Sequence, residues 1–112
     1  MASKYDIAID QGTSMYRKLT WKSADNIPVN TVGYSAKMQI RVRIGGTIMQ
    51  ELSTTTGEIL ISTDGIIELK LTPAKTRNIK MSGVYDLVLT SPEGIVTRLL
   101  QGSIDLSPEV TE

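Results

Sequence analysis

The sequence predicts an all-β protein: an immunoglobulin-like β-sandwich of seven to nine short antiparallel strands with one short helical turn near residues 73–80. Residues 83–107 contain two strand-like runs joined by Ser91-Pro92-Glu93-Gly94, a tetrapeptide suited to a tight turn. Residues 34–44 alternate apolar and polar side chains, which is typical of a strand with one buried face. Turn-forming residues recur between such runs at the spacing of a β-sandwich, and a small closed barrel is the competing architecture.

Length and composition restrict the chain to a single domain, residues 1–112, with a short exposed tail at about 108–112. Cysteine and histidine are both absent, which excludes disulfides, thiolate zinc sites and histidine general bases. The 12 lysines and arginines balance the 12 aspartates and glutamates, so the net charge gives no attraction to nucleic acid or anionic membranes. No signal peptide and no apolar run of about 20 residues is visible, so we expect a soluble protein made in the cytosol.

The first predicted strand covers residues 4–10. Tyr5, Ile7 and Ile9 share the face that we expect to be buried, since every second residue of a strand points the same way. Gln11-Gly12 ends this strand.

The second predicted strand covers residues 13–22 and has an apolar face that includes Trp21. Arg17 falls on that same face. Either a β-bulge shifts the register, or the aliphatic stem of Arg17 packs inward while its guanidinium reaches out. Residues 23–30 form a loop by composition.

The most regular predicted strand covers residues 34–44, where six apolar residues from Tyr34 to Ile44 alternate with polar ones. We expect one face of this strand to be buried and the other to be hydrated. Gly45-Gly46 permits a hairpin into a weaker strand over residues 47–52.

Residues 58–62 and 66–72 predict a second hairpin around Thr63-Asp64-Gly65, because an Asp-Gly pair suits a turn with positive φ. Thr72 then provides an N-cap hydroxyl and Pro73 the first position of a helix of one or two turns, which crosses between the sheets. In the last hairpin the strand after Gly83 carries three apolar residues on one face, Tyr85, Leu87 and Leu89.

Catalytic and metal-binding chemistry is not predicted. Asp6 and Asp10 share a face of the first predicted strand, and Asp105 joins them if the two ends of the chain pair; such a cluster could bind calcium. No EF-hand spacing is present, so we expect ordinary solvated carboxylates, no metal site and no cofactor. Serine, threonine and tyrosine have no histidine base and no recognisable Ser-Lys spacing, so we predict that the protein is not an enzyme.

Lys37, Arg41 and Arg43 lie on the outward face of the strand over residues 34–44 and form a candidate interface. Basic stripes contact nucleic-acid phosphates in other proteins. No aromatic residue interleaves with them on this face, so we do not expect nucleic-acid binding. A salt-bridging protein interface and a simple hydrated face remain the two interpretations.

Trp21 is predicted to be a core residue, and a sugar-stacking role would require it to be exposed beside polar groups. Four of the five methionines are expected to fill gaps between the sheets, because their side chains are flexible and polarisable. These are Met15, Met38, Met49 and Met81.

The order of several short segments resembles small immunoglobulin-like virion proteins of tailed bacteriophages, and is similar to the N-terminal module of phage baseplate upper proteins. The segments that carry the resemblance are Asp10-Gln11-Gly12-Thr13, Leu19-Thr20-Trp21, Gly33-Tyr34-Ser35-Ala36-Lys37-Met38-Gln39-Ile40-Arg41, Asp64-Gly65-Ile66, Ile67-Glu68-Leu69, Thr72-Pro73-Ala74-Lys75-Thr76, Tyr85-Asp86-Leu87, Gly94-Ile95-Val96-Thr97-Arg98-Leu99-Leu100-Gln101-Gly102 and Ser107-Pro108-Glu109-Val110-Thr111.

The resemblance implies a non-enzymatic tail or baseplate component or adaptor, located in the virion and made in the host cytoplasm. Its implied partners are other virion structural proteins in a symmetric, multi-copy assembly, without nucleic acid or membrane. The residues up to Ile9, or the tail with Pro108, Glu109 and Val110, are the expected docking segments. A capsid decoration or head-completion protein is the second interpretation, and a carbohydrate-binding β-sandwich is the third.

Overall fold

The computed structural model describes residues 3–110, which form nine strands and one short helix. In chain order these elements are β1 (Ser3–Lys4), β2 (Ile7–Asp10), β3 (Met15–Thr20), β4 (Ser35–Arg41), β5 (Ile48–Ser53), β6 (Ile59–Ile61), β7 (Ile66–Leu71), α1 (Pro73–Thr76), β8 (Gly83–Thr90) and β9 (Val96–Ser107). The strand count lies within the predicted range, and each predicted strand is present with ends that differ by a few residues.

The strands divide between two sheets, as an all-β sandwich requires. The larger sheet has the order β1-β9-β8-β4-β5, with β2 also paired to β9, and the smaller sheet has the order β3-β7-β6. A single apolar core lies between them and draws residues from both. Its fully buried members include Met38, Ile40, Leu52, Ile67, Leu69, Leu87, Leu89 and Ile104. The competing closed barrel would join all the strands in one sheet, and the described strands do not do so.

The N-terminal strands correct the prediction that all strands are antiparallel. Both β1 and β2 run parallel to β9, with Ile7 opposite Ile104 in the register. Four residues connect β2 to β3, and this turn is held by α1, where Gly12 N donates to the Thr76 hydroxyl at 3.0 Å. The parallel pairing places this turn beside the end of β9, where Gln11 N donates to Ser107 O at 2.9 Å, and it leaves Ile7 and Ile9 buried as predicted.

The single strand predicted over residues 4–10 is interrupted at Tyr5 and Asp6. Tyr5 is 37% exposed, so the prediction that it points inward was wrong. Its backbone N–H still donates to Gln101 O at 2.9 Å, while the Asp6 carboxylate accepts the N–H of Ser103 at 2.9 Å. A side chain at Gly102 would collide with the carbonyl of Tyr5, so the break depends on a glycine in β9.

Arg17 keeps its place on the apolar face of β3 without a bulge. The pairing of β3 with β7 is continuous from Met15 opposite Leu71 to Thr20 opposite Ile66. The guanidinium leaves the interior and donates to Ala8 O at 2.8 Å, on the free edge of β2. Of the two predicted alternatives the packed stem is confirmed, and its charged head joins the two sheets.

The long strand predicted over residues 34–44 ends early, at Arg41. Its three central apolar residues are buried as predicted, but Ile44 is 91% exposed. The register with β5 shifts after Ile40, and the chain turns through Gly45, where φ is +75°. Arg41 donates to Gly46 O at 2.7 Å across this turn, so a local turn rather than the sheet determines the position of Ile44.

The two other predicted hairpins and the helix are confirmed. Gly65 has φ +76° in the connection between β6 and β7, as the Asp-Gly pair predicts. The hydroxyl of Thr72 accepts from Lys75 N at 3.3 Å and caps α1, which begins at Pro73 and links the smaller sheet to the larger one. The tight turn between β8 and β9 is closed by a hydrogen bond from Gly94 N to Ser91 O at 2.9 Å.

Three of the four methionines fill the space between the sheets as predicted. Met15 and Met38 are buried, and Met49 is partly buried against the core. Met81 is 51% exposed, so the prediction was wrong for this residue. It lies in the segment between α1 and β8, which belongs to neither sheet.

Candidate functional site

The outer face of the larger sheet contains a depression of about 600 Å³, which we call the outer depression. Residues on this face alternate with the buried residues along each strand, so Asp86 of β8 lies between Gln39 of β4 and Gln101 of β9. The residues that line the outer depression include Lys4, Arg41, Ile44, Val84, Asp86 and Arg98.

The outer depression is positively charged, because three cationic side chains meet one carboxylate. Arg98 Nε lies 3.4 Å from Asp86 Oδ2, and both side chains remain partly exposed. Arg41 is half-buried, and its guanidinium is oriented by the carbonyl of Gly46 and by Gln39 Oε1, at 2.7 and 2.8 Å. Within residues 3–110 neither Arg41 nor Lys4 forms an ion pair.

The three basic residues predicted as an interface do not form one stripe. Lys37 is exposed on the outer face and pairs with Glu51 at 3.7 Å. Arg41 holds the turn after β4 and lines the outer depression. Arg43 lies beyond the end of β4, on the exposed turn itself. Only Arg41 of the three therefore contributes to the outer depression.

The second candidate surface is one end of the sandwich, where three connections meet. Thr31 N donates to Thr63 O at 3.3 Å, and Gly65 N donates to the hydroxyl of Thr31 at 3.1 Å. A Cβ added at Gly33 would lie 2.7 Å from Pro92 Cγ, so the β3–β4 and β8–β9 connections are in close contact. We call these connections together with the first residue of β9, residues 22–34, 62–65 and 91–96, the loop end.

The loop end exposes four apolar side chains, each more than half accessible. They are Ile27, Val32, Ile95 and Val96. Isolated exposed apolar residues are common, but several on connections that touch one another indicate an interaction surface.

The loop end is negatively charged. Its sequence contains three carboxylates against one lysine. They are Asp25, Asp64 and Glu93, and the lysine is Lys22. All four of these residues are exposed, so the loop end and the outer depression present opposite charge to solvent.

The C-terminal segment departs from the predicted exposed tail. Pro108 is exposed and Val110 is 98% exposed, in agreement with the prediction. Glu109, however, is half-buried: its carboxylate accepts from Arg77 Nε at 2.9 Å and its N–H donates to Gln11 Oε1 at 3.1 Å. The tail thus begins docked against the β2–β3 turn, and the last two residues of the predicted tail lie outside the described residues.

Glu58 is a buried carboxylate that the sequence did not single out. Its side chain accepts hydrogen bonds from Lys75 Nζ, the Thr56 hydroxyl and Ser53 N. Burial alone raises the pKa of Glu58, but these three donors outweigh burial and hold the pKa below its ordinary value of 4.5. The carboxylate is therefore ionised and fully paired, and it ties the β5–β6 connection to α1.

The aspartates considered for calcium do not assemble into a site. The backbone N–H of Ser103 lowers the pKa of Asp6 by donating to its carboxylate. Asp10 lies opposite Ser107 and Asp105 lies opposite Ala8 in the ladder between β2 and β9. Among residues 3–110, no three acidic side chains come close enough together to hold a metal ion.

The exposed and buried aromatic residues do not form a common platform. Trp21 is partly buried against the core, as predicted, and its ring packs edge-to-face on Tyr34 with centroids 5.8 Å apart. Tyr16 is 49% exposed on the outer face of the smaller sheet. Its ring is covered by Lys70 Nζ at 5.9 Å and its hydroxyl donates to Glu68 at 3.1 Å.

Sequence reasoning missed the residues of both candidate surfaces, apart from Arg41. A signal for the loop end was present: Ile27, Val32 and Ile95 each adjoin a proline or glycine in a turn segment, where no sheet face can bury them. Lys4 and Arg98 had no such signal, because their proximity depends on the parallel pairing of β1 with β9.

No protein-family model matches this chain, and no curated protein matches it at a significant level. In the part of the chain that the structure describes, the four-residue α1 is the only helix, and no helix is long and apolar enough to cross a membrane.

Proposed function

We propose that the chain is a non-enzymatic structural protein of a tailed-bacteriophage particle, a tail or baseplate component or adaptor that acts through protein–protein contacts. The observation that carries this proposal is the loop end, where four apolar side chains are exposed on connections held together by hydrogen bonds. A preformed apolar surface with a polar rim is typical of a protein interface. The virion context comes from the sequence resemblance.

An immunoglobulin-like topology is part of this proposal, and the strand order supports it. That fold places strands B, E and D in one sheet and C, F and G in the other, with C′ added beside C in its variable form. If β3 is strand B, the order β3-β7-β6 corresponds to B-E-D and β9-β8-β4-β5 to G-F-C-C′. Trp21 departs from this pattern, because it follows β3 rather than lying on β4.

The paired state of the buried polar groups is consistent with a structural role. Within residues 3–110 Glu58 is the one buried carboxylate, and it accepts hydrogen bonds from Lys75, Thr56 and Ser53. A general base needs a free lone pair within reach of a substrate proton. The hydrogen bonds around Glu58 therefore stabilise the fold and do not leave the carboxylate free to act as a general base.

The loop end and the tail are the surfaces that we propose for docking. Ile7 and Ile9 are buried in the core of their own chain. Docking through residues 3–10 would therefore use the backbone edge of β2 that faces away from β9, since β9 is the one described strand that pairs with β2. Val110 is 98% exposed at the end of the described tail, so the tail remains a candidate contact.

Immunogold electron microscopy of purified phage particles, with an antibody raised against the recombinant chain, tests the proposal directly. Labelling at the tail tip or along the tail is the expected result. Labelling of the head shell would favour a capsid decoration or head-completion protein instead. Particles that carry no label, and whose digests contain no peptide of this chain by mass spectrometry, would rule out a virion protein.

The contribution of the tail is tested by deleting residues 108–112 and measuring incorporation into particles. Reduced incorporation is expected if the tail docks onto a neighbour. Substitution of Glu109 by alanine is the matched variant, because it releases the contact with Arg77 but keeps the chain length. Unchanged incorporation of both variants would assign docking to the loop end alone.

A further inference from the structure

We propose that copies of this chain associate head to tail, with the loop end of one copy seated in the outer depression of the next. This inference rests on the proposed structural role and names the partner as a second copy. The two surfaces consist of different residues, so the contact is heterologous. A heterologous contact that repeats builds either a closed ring or an open filament.

The β8–β9 turn supplies the part of the loop end that enters the depression. Ser91 is buried and closes the turn from both sides: its N–H donates to Ile95 O at 2.9 Å and its hydroxyl accepts from Ile95 N at 3.0 Å. Ile95, at the end of this closed turn, and Val96, the first residue of β9, are 66% and 65% exposed. Because the turn is already ordered, docking costs little conformational entropy.

The outer depression offers an apolar rim and an oriented cation to this turn. Ile44 is 91% exposed beside Val84, and a partner that covers it removes apolar surface from water. The Gly46 carbonyl accepts a hydrogen bond from Arg41, and this bond holds the guanidinium at the outer depression. The acceptor surface and the docking turn are therefore both already formed in the free chain.

Charge selects a second copy as the occupant. The depression carries Lys4, Arg41 and Arg98 against Asp86, and the loop end carries three carboxylates, Glu93 among them, against one lysine. Glu93 lies on the docking turn itself. Opposite charge on the two surfaces favours this orientation and disfavours like-with-like pairing of two loop ends.

Sedimentation velocity of the purified full chain over a range of concentrations tests the inference. The expected result is a concentration-dependent series of oligomers that weakens as salt is raised, because salt screens exposed charges. Ile95→Asp, on the docking turn, and Ile44→Asp, on the acceptor, are each expected to reduce the association constant at least about tenfold. Circular dichroism and thermal melts verify that both variants remain folded.

Mixing the two variants separates head-to-tail contact from any symmetric contact. Ile95→Asp keeps its acceptor surface and Ile44→Asp keeps its docking turn, so the mixture is expected to form one-to-one dimers that do not grow further. Leu60→Asp is the matched control, since Leu60 is 45% exposed on the outer face of the smaller sheet and belongs to neither surface. This control is expected to associate like the unsubstituted chain.

A chain that stays monomeric at every concentration, or a mixture of the two variants that forms no dimer, overturns the inference. Loss of association in Leu60→Asp also overturns it, because the contact then uses the smaller sheet. These outcomes are independent of particle labelling. If the chain is monomeric but is found in particles, the head-to-tail inference fails and the proposed structural role stands. If the chain forms oligomers but is missing from particles, the proposed virion role fails.

Discussion

At the scale of single residues, hydrogen bonds to buried polar side chains contribute to the stability of this fold. Within residues 3–110, no buried side-chain nitrogen or oxygen lacks a hydrogen-bond partner. An unpaired polar group in a core is costly, so each of these partners contributes to stability. Glu58 shows this most directly, because three donors hold its carboxylate in the ionised form.

Glu58→Gln is expected to lower the free energy of unfolding at neutral pH by about 1–2 kcal/mol, through loss of charged hydrogen bonds. The pKa of Glu58 is lowered in the folded chain, so its stabilisation is present above pH 4.5 and is lost as pH falls through the folded pKa. Urea unfolding at several pH values should show the curves of the variant and the unsubstituted chain converging in acid.

Glu51→Gln is the control for that experiment. Glu51 pairs with Lys37 at 3.7 Å, with both side chains exposed. Exposed pairs contribute less than about 1 kcal/mol, so we expect a small effect and little change in acid sensitivity. A Glu58→Gln variant that loses stability in acid as steeply as the unsubstituted chain would contradict the assignment.

Gly102→Ala is expected to detach the N-terminal strands from β9, because the new Cβ collides with the carbonyl of Tyr5. Tyr85→Phe removes the hydroxyl that donates to the same carbonyl, at a cost of about 1 kcal/mol. Hydrogen exchange should show faster exchange at the amides of Tyr5 and Ser103 in both variants, and more strongly in Gly102→Ala. Unchanged protection in Gly102→Ala would mean that the strand break tolerates a side chain.

At the scale of elements, the ends of strands are determined by turns and capping groups as much as by apolar alternation. β4 ends at Arg41 although the alternation continues to Ile44, since Gly45 takes positive φ and the chain turns. The helix α1 begins where Thr72 supplies a cap. A four-residue helix has few hydrogen bonds of its own, so the cap at Thr72 and the tertiary contacts of the buried Thr76 stabilise α1 together.

Thr72→Ala is expected to cost about 1 kcal/mol in unfolding free energy, because Lys75 N loses the hydroxyl that accepts from it. Thr55→Ala, at an exposed turn position, is the control and should change stability by less than about 0.5 kcal/mol. Equilibrium unfolding in urea measures both. Equal effects of the two substitutions would show that the cap does not stabilise α1.

At the scale of the whole molecule, the two sheets share one core and neither has an apolar interior of its own. Ile67 of the smaller sheet and Leu87 of the larger sheet are both fully buried in this cluster. Arg17 adds a polar link between the sheets by donating to Ala8 O. The sheets are therefore expected to unfold together.

Ile67→Ala and Leu87→Ala are each expected to lower the free energy of unfolding by about 2–5 kcal/mol, and unfolding should remain a single transition. Ile44→Ala, at a position that is 91% exposed, should change stability by less than about 0.5 kcal/mol. Tryptophan fluorescence and far-ultraviolet circular dichroism, followed together, measure the transitions. Two separate transitions in either core variant would contradict a shared core.

Features that depend on neighbouring residues were predictable from the sequence. The turns at Asp64-Gly65 and Ser91–Gly94, the cap at Thr72 and the buried faces of β4 and β8 all follow from local backbone preference and from the period of apolar residues. These preferences act within a few residues of the chain, so the sequence alone determined the all-β character and most of the strand positions.

Features that join distant segments were decided only by the tertiary structure. The parallel pairing of β1 and β2 with β9, the burial of Glu109 against Arg77 and the charge of the outer depression all bring together residues far apart in the chain. Contacts of this kind leave no periodic pattern, because each depends on how the chain closes around the core. The local signals were enough to place the strands, but the surfaces that we propose to bind another copy exist only once the sheets have packed.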